Sequence, residues 1–362
     1  MTQVGGGRLR ELDGWRAVSV LLVIFHHLGS YQHAGMLFHH HHLALVFRHF
    51  GPLGVDVFFV ISGFVICRLL ILEEERYGKV SLKAFYVRRA FRILPPFYLY
   101  IACLFFLLAT GLIHETYKGI TTGALFLYDI VPAKVGGWFI GHTWSLAVEE
   151  QFYLTFPAVL VLTRMIERKR IFLAIFCLLG VWNYLAAVFG WNYVTNPSTR
   201  SGFACICCGV LVAFFEAEAR AIARTLPALA VAGVALSLLW HPDDYLSWLS
   251  ALYDSLYTPL AIAALLIFSL ERDTRLRTLL CLKPVQAIGL TSYSIYLWQE
   301  LFTAPKGPEG DYTLSGNIIA ALLPLLFVVI PFSWFLIEKP AMKLGRLFSD
   351  RIRRRYEREV MA

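Results

Sequence analysis

Apolar runs of about 20 residues, the length a helix needs to cross a bilayer, recur along this chain from end to end with only short polar links between them. No soluble core can absorb so many. Of the 362 residues, 58% are apolar and 16% charged, where a soluble domain carries roughly 25% charged. Inside a bilayer every backbone polar group must be satisfied within the protein, and helical hydropathy runs do that segment by segment. The expected fold class is therefore all-α: a polytopic transmembrane helical bundle of about ten spans. The spans fall near 14–32, 50–72, 93–113, 145–164, 171–190, 201–217, 225–240, 248–270, 285–304 and 315–338. Residues 1–340 read as one transmembrane domain and 341–362 as a short basic tail.

The formal net charge is +8, and where the charge sits decides what it means. The basic residues lie between the apolar runs, not in a stripe or a separable basic domain, which argues for anionic lipid as the partner and against nucleic acid. With the N-terminus placed in the cytoplasm, 28 of the 33 Lys and Arg fall on the inner side and 5 on the outer. That asymmetry sets both termini inside. If the segment 119–141 crossed as well, every later link would invert. It is read as an interfacial or re-entrant outer segment. The first apolar run follows Arg8, Arg10 and Arg16 and has no small-residue cleavage site, so it is expected to be a retained span.

Ionisable groups within spans are costly and face cavities, which makes them the first functional candidates. The topology sorts them by depth. Arg16 stands at the inner end of the first span and His27 near its outer end, roughly 16 Å apart along a helix axis. Asp56 lies near the outer end of the second span, Glu149 and Glu150 in the outer turns of the fourth, and Gln299 and Glu300 at the outer end of the ninth. Arg88, Arg89 and Arg92 stand at the inner mouth of the third. An inner basic group of Arg16, Arg89 and Arg92 suits a phosphate-bearing donor such as an acyl-CoA, because guanidinium forks match phosphate oxygens. The outer group of His27, Asp56, Glu149 and Glu150 suits proton abstraction from a hydroxyl. There an imidazole titrates near neutrality and a carboxylate orients it.

Other polar features have plainer readings. Glu149 and Glu150 point about 100° apart on a helix, so only one faces the cavity. The run His39 to His42, with His33 and His49, lacks an accompanying carboxylate set, and no metal site is expected. The seven cysteines fit neither a zinc knuckle nor a disulfide framework and read as small packing residues. Ser62 and Gly63 read as close helix packing. Pro95-Pro96 marks the entry of the third span.

Several blocks resemble those of the acyltransferase 3 family of membrane O-acyltransferases. Leu12-Asp13-Gly14-Trp15-Arg16, followed after ten residues by His27, is similar to its Arg-x10-His signature. Gly54-Val55-Asp56-Val57-Phe58-Phe59-Val60-Ile61-Ser62-Gly63-Phe64 resembles its second-span motif, and Arg89-Ala90-Phe91-Arg92-Ile93-Leu94-Pro95 its Arg-x-x-Arg motif. Trp144-Ser145-Leu146-Ala147-Val148-Glu149-Glu150-Gln151-Phe152-Tyr153-Leu154 resembles its fourth-span block. Ser292 to Trp298 and Phe335 to Pro340 resemble its late motifs. Where the family often has His after the ninth-span Leu-Trp, this chain has Gln299, which hydrogen-bonds but cannot shuttle a proton.

The resemblance implies transfer of an acyl group, commonly acetyl from cytoplasmic acetyl-CoA, to a hydroxyl of an extracytoplasmic glycan or lipid-linked sugar. It implies a catalytic His27 with Arg16 required, donor contacts from Arg89 and Arg92, and Glu149 as the matched acidic residue. The donor is a substrate, and no tightly bound cofactor is expected. Polysaccharide-biosynthesis proteins are the expected partners and a bacterial-type inner membrane the expected location. No appended esterase-like domain is expected after residue 340. The alternative is an exporter of a glycan precursor, which predicts paired Gly- or Pro-broken spans in symmetric halves; no such pairing is present.

Overall fold

The computed structural model describes residues 9–29, 41–130, 137–191, 196–239, 246–304 and 323–361. Arg8, His33, His39, His40, Lys134, Lys306 and the 315–322 part of the expected tenth span lie outside the described residues. All regular structure among the described residues is helical. In chain order the helices are α1 (Arg10–Gly29), α2 (His41–Tyr77), α3 (Leu82–Ala109), α4 (Tyr117–Ala124), α5 (Trp138–Gly141) and α6 (Thr143–Leu162). Then come α7 (Met165–Val188), α8 (Pro197–Phe214), α9 (Glu216–Thr225), α10 (Ala228–Ser237) and α11 (Ser247–Glu271), the last with a π-helical turn at Tyr253–Tyr257. The series closes with α12 (Arg275–Leu280), α13 (Lys283–Leu290), α14 (Ser292–Thr303) and α15 (Leu326–Phe332), which runs through a π turn at Ser333–Glu338 into α16 (Lys339–Met361).

Among the described residues five stretches are long and apolar enough to cross a bilayer: His49–Tyr77, Leu82–Ala109, Trp138–Leu162, Met165–Val188 and Ser247–Glu271. A sixth is present if α8 and α9, bent by 88° at their junction, count as one. With its 20 residues α1 is long enough, but it carries Glu11, Asp13, Arg16 and two histidines; polar groups set it apart, not length. The expected span 225–240 is a ten-residue helix, α10, as far as the described residues run. The expected span 285–304 is two helices, α13 and α14, meeting at Thr291. Pro95 and Pro96 lie inside α3, which starts thirteen residues earlier at Leu82. The Ser81 hydroxyl caps that start by accepting from the Ala84 amide. Arg88, Arg89 and Arg92 thus ride on a helix, not on a link.

The described helices fall into two compact units. The first comprises Met1–Gly78 and Val148–Ser292, the second Lys79–Ala147 and Tyr293–Ala362. In the first unit, α2 and α8 touch backbone to backbone. A methyl group built on Gly63 would lie 2.1 Å from the Ile206 carbonyl oxygen, and one on Gly209 2.1 Å from that of Val60. With no apolar solvent effect between spans, such close approach through small residues is what holds helices together in lipid. The packing role expected of Gly63 is thus realised. The start of α1 is seated the same way, with Gly14 against Leu280 and Gly289 against the Asp13 carbonyl.

Ion pairs lace one set of helix ends in this unit. Arg68 meets Glu216 at 2.9 Å, Arg168 meets Glu74 at 2.6 Å, Arg220 bridges Glu216 and Glu271, and Arg277 meets Glu11 at 2.7 Å. These are the starts of α1 and α7, the ends of α2 and α11, and the short helices α9 and α12. All belong to the segments that the charge count gathers on one side, so the up-and-down alternation of this unit appears in its side-chain contacts.

In the second unit α16 lies along α3. Gly345 fits against Phe91, the Phe91 and Phe348 rings are 5.6 Å apart, and Arg88 donates to the Ser349 hydroxyl at 2.6 Å. Of the segment 119–141, the end of the eight-residue α4 and the turns over 125–130 are too short to span, whereas the four-residue α5 opens the spanning stretch Trp138–Leu162. Glu115 accepts from the Gly137 and Phe139 amides at 2.7 and 2.8 Å, anchoring the start of α5. Burial raises its carboxyl above the usual range despite those two bonds.

Candidate functional site

The first unit carries Arg16, His27, Asp56 and Glu149, and its helix register fixes their relative levels. Gly51 on α2 sits against His26: a methyl group there would meet that ring at 2.5 Å. Three residues on, Gly54 sits against Ser19, Leu22 and Val23. The two helices therefore run antiparallel with residue 51 level with residue 26. Asp56 then lies about 7 Å from the level of His26, and Ser62 about 16 Å, at the level of Arg16.

Each group has its own partners. Arg16 donates to Asp13 at 3.3 Å, one turn earlier on α1. The His26 and His27 rings are 5.2 Å apart and tilted by 57°. Asp56 accepts a hydrogen bond from the Cys205 thiol on α8, with Asp254 from the π turn of α11 acting on the same thiol. Glu149 accepts from the Ser62 hydroxyl at 2.7 Å and from the Tyr153 hydroxyl, and those two hydroxyls are 2.6 Å apart. Glu150, on the neighbouring face of α6, is half-buried.

Two plain readings are corrected here. Ser62 is not only a packing residue beside Gly63, since it holds the carboxylate of Glu149. Cys205 is not only a small apolar filler, since it donates to Asp56. The remaining residues of the first motif are structural: Gly14 admits the Leu280 backbone, and Trp15 donates its indole N–H to Ser269 at 2.9 Å. Among the described residues no cysteine is bridged and no group of three or more His, Cys, Asp or Glu side chains could hold a metal.

The second unit carries Arg89 and Arg92. Arg89 lies over the Phe85 ring at 5.8 Å. Arg92 acts electrostatically on Glu338, which is almost wholly buried and accepts from the Ser294 hydroxyl at 2.8 Å. Tyr293 donates to the Ile93 carbonyl at 3.0 Å. The Arg-x-x-Arg motif thus meets both late motifs, and Glu338 is a buried carboxylate that the reading of single residues passed over. Its signal was a lone carboxylate ending an apolar run. Gln299 is fully buried and its side-chain oxygen accepts from Thr303 at 3.2 Å. Beside it, Glu300 meets Nδ1 of His142 at 2.6 Å. His142 was not singled out from the sequence, although it stands two residues before the fourth-span block.

Spanning helices with histidine, arginine and carboxylates built into them define a helical membrane protein with an ionisable site within its spans. The chain matches the acyltransferase domain of the Acyl_transf_3 family over residues 9–338, and it belongs to that family. It is similar to O-acetyltransferase OatA of Staphylococcus aureus strain NCTC 8325 / PS 47, 28% identical over 376 aligned positions, and equally to OatA of strain COL. Those alignments cover 93% of this chain but 58% of each relative, so the chain spans little more than half their length. No solved structure matches it.

Proposed function

We propose that this chain is an integral membrane O-acyltransferase of an inner, cytoplasmic membrane. It moves an acyl group, acetyl in the first instance, from cytoplasmic acyl-CoA to a hydroxyl of an extracytoplasmic glycan or lipid-linked sugar. The observation that carries this reading is the family match, which takes in Arg16, His27, Asp56, Arg89, Arg92 and Glu149. The name of the similar OatA proteins points to acetyl as the group and oxygen as its acceptor.

In this mechanism His27 takes the acceptor's hydroxyl proton as the oxygen attacks the thioester carbonyl, and the carbon–sulfur bond breaks with CoA leaving as thiolate. Imidazole suits the step because it changes charge near neutral pH. Of the two carboxylates expected to orient it, Asp56 lies nearer its level, and it stabilises the imidazolium that forms. Glu149, fixed by Ser62 and Tyr153 at the level of Arg16, supplies the negative charge against which that guanidinium is set. Arg89 and Arg92, with Arg16, bind donor phosphates through charge-assisted hydrogen bonds.

The test is mass spectrometry of surface glycans from isogenic cells carrying wild type or His27→Ala at matched membrane levels. Removal of a general base lowers the rate by about a hundredfold or more, so an acyl ester should appear only with wild type. The mass increment names the group. Equal ester content in both strains would remove His27 from the chemistry.

A further inference from the structure

His142 and Glu300 lie outside the machinery assigned above, yet they are set as tightly as a working pair. Besides the 2.6 Å contact with the His142 ring at Nδ1, Glu300 accepts from the His142 backbone amide at 3.3 Å. Its own carbonyl accepts from the Trp138 indole at 3.0 Å. An ionised carboxylate only accepts, so Nδ1 carries the ring proton and Nε2 is the atom at which a proton comes or goes. Nε2 is buried and has no hydrogen-bond partner among the described residues.

The walls around it are occupied elsewhere. Tyr100 and Tyr296 stand edge-on to the imidazole at 5.4 and 5.5 Å. The Tyr100 hydroxyl donates to the Phe139 carbonyl at 2.5 Å, and the Tyr296 hydroxyl is shared with Ser145 at 2.6 Å and the His142 carbonyl at 3.2 Å. A second polar atom in the same aromatic cluster is in the same condition. Trp298 packs edge-on to Tyr100 at 5.3 Å, and its buried indole N–H has no partner among the described residues. A buried polar atom without a partner costs free energy that a polar ligand would relieve and an acyl chain would not. The neutral imidazole needs a donor and the indole needs an acceptor. A hydroxyl is both.

We infer that His142, Glu300 and Trp298 build a second base in this protein, a buried site for an O–H group, separate from His27. The bound hydroxyl donates to Nε2. When its proton transfers, the oxygen keeps the electron pair and the imidazolium faces the Glu300 carboxylate. A sugar hydroxyl and a water offer this same chemistry, and the inference does not depend on acyl transfer.

The experiment is solid-state NMR of the full chain in lipid nanodiscs with ring-15N-labelled histidine, with methyl β-D-glucopyranoside as the hydroxyl probe. His142→Gln identifies the Nε2 signal as the one lost. Should that variant fail to insert, Glu300→Gln identifies it as the signal that moves when the facing charge is removed. The expected result is a correlation from Nε2 to a proton that is not the protein's. If the sugar displaces a water correlation, the site takes sugar hydroxyls; if the water correlation persists, the site holds water. Trp298→Phe, which keeps the ring and removes the N–H, should shift the same signal. A correlation from Nε2 to a protein donor, or to no proton at all, overturns the site, and an unmoved signal in Trp298→Phe removes the indole from it.

Discussion

The contact between α2 and α8 makes a prediction that does not depend on chemistry. Gly63 and Gly209 interlock, each presenting its bare Cα to a carbonyl of the other helix. A methyl group on either would sit 2.1 Å from that oxygen, where ordinary contact begins at 3.4 Å, so Gly63→Ala requires the helices to part by about 1.3 Å. Neither obstacle is a flexible side chain tip. Both are backbone within helices and cannot swing aside. Overpacking of this kind costs about 1–3 kcal/mol, and Gly209→Ala should cost a similar amount for the same reason.

The double variant is the discriminating measurement. Once the helices have parted for one methyl group, the second finds its space already open, so the double variant should cost about as much as either single. The interaction energy is then of the order of one single cost, about 1–3 kcal/mol, and opposite in sign to the destabilisation. The assay is thermal unfolding in detergent, followed by loss of the monodisperse peak, for wild type, both singles and the double. Strictly additive losses would refute the interlocked geometry, as would singles indistinguishable from wild type.

Other changes probe the site itself. Tyr153→Phe and Ser62→Ala each remove one hydroxyl from the Glu149 carboxylate, and each should lower acyl transfer while leaving membrane levels near wild type; losing a hydrogen bond to a charged group costs about 1.5–3 kcal/mol. Gly51→Ala drives a methyl group into the His26 ring at 2.5 Å. It should therefore impair transfer through the neighbouring His27, and activity equal to wild type would show that this glycine does not set the histidine position. Glu115 has its carboxyl raised by burial, so its contribution to stability is full below the unfolded-state value and is lost as pH rises through the folded-state value. The melting temperature of wild type relative to Glu115→Gln should accordingly rise on acidification, and a constant difference across pH 4–8 would contradict it.

Much of this was legible because lipid leaves few options. Spanning helices announce themselves by apolar length, and α2, α3, α6, α7 and α11 appear where the runs predict them. Arg16 and His27 stood out as polar residues in such a run. Partners did not. Ser62 and Glu149 are 87 positions apart, and no period in either helix states that they meet. Cys205 has the composition of a filler, and only the Asp56 carboxylate across the helix pair makes it a donor. α3 begins at Leu82, although its apolar stretch starts near Ile93, because a helix hydrogen-bonds its own backbone whatever its side chains. His142 was overlooked because it precedes a span and so looked like the end of a link.

The register of α1 against α2 also separates two carboxylates that the sequence had grouped. Counting inward from the ends of their spans puts Asp56 and Glu149 together beside His27. In the structure α6 brings Glu149 to Ser62, six residues beyond Asp56 on α2 and about 9 Å further along its axis. That is the level of Arg16. In the proposed function the family's Arg-x10-His spacing reads as two stations on one helix, with Asp56 nearer the level of the histidine and Glu149 at that of the arginine. On that reading the outer station serves proton transfer and the inner an anionic donor. Because buried charges are little screened, a change of charge at one station is felt at the other.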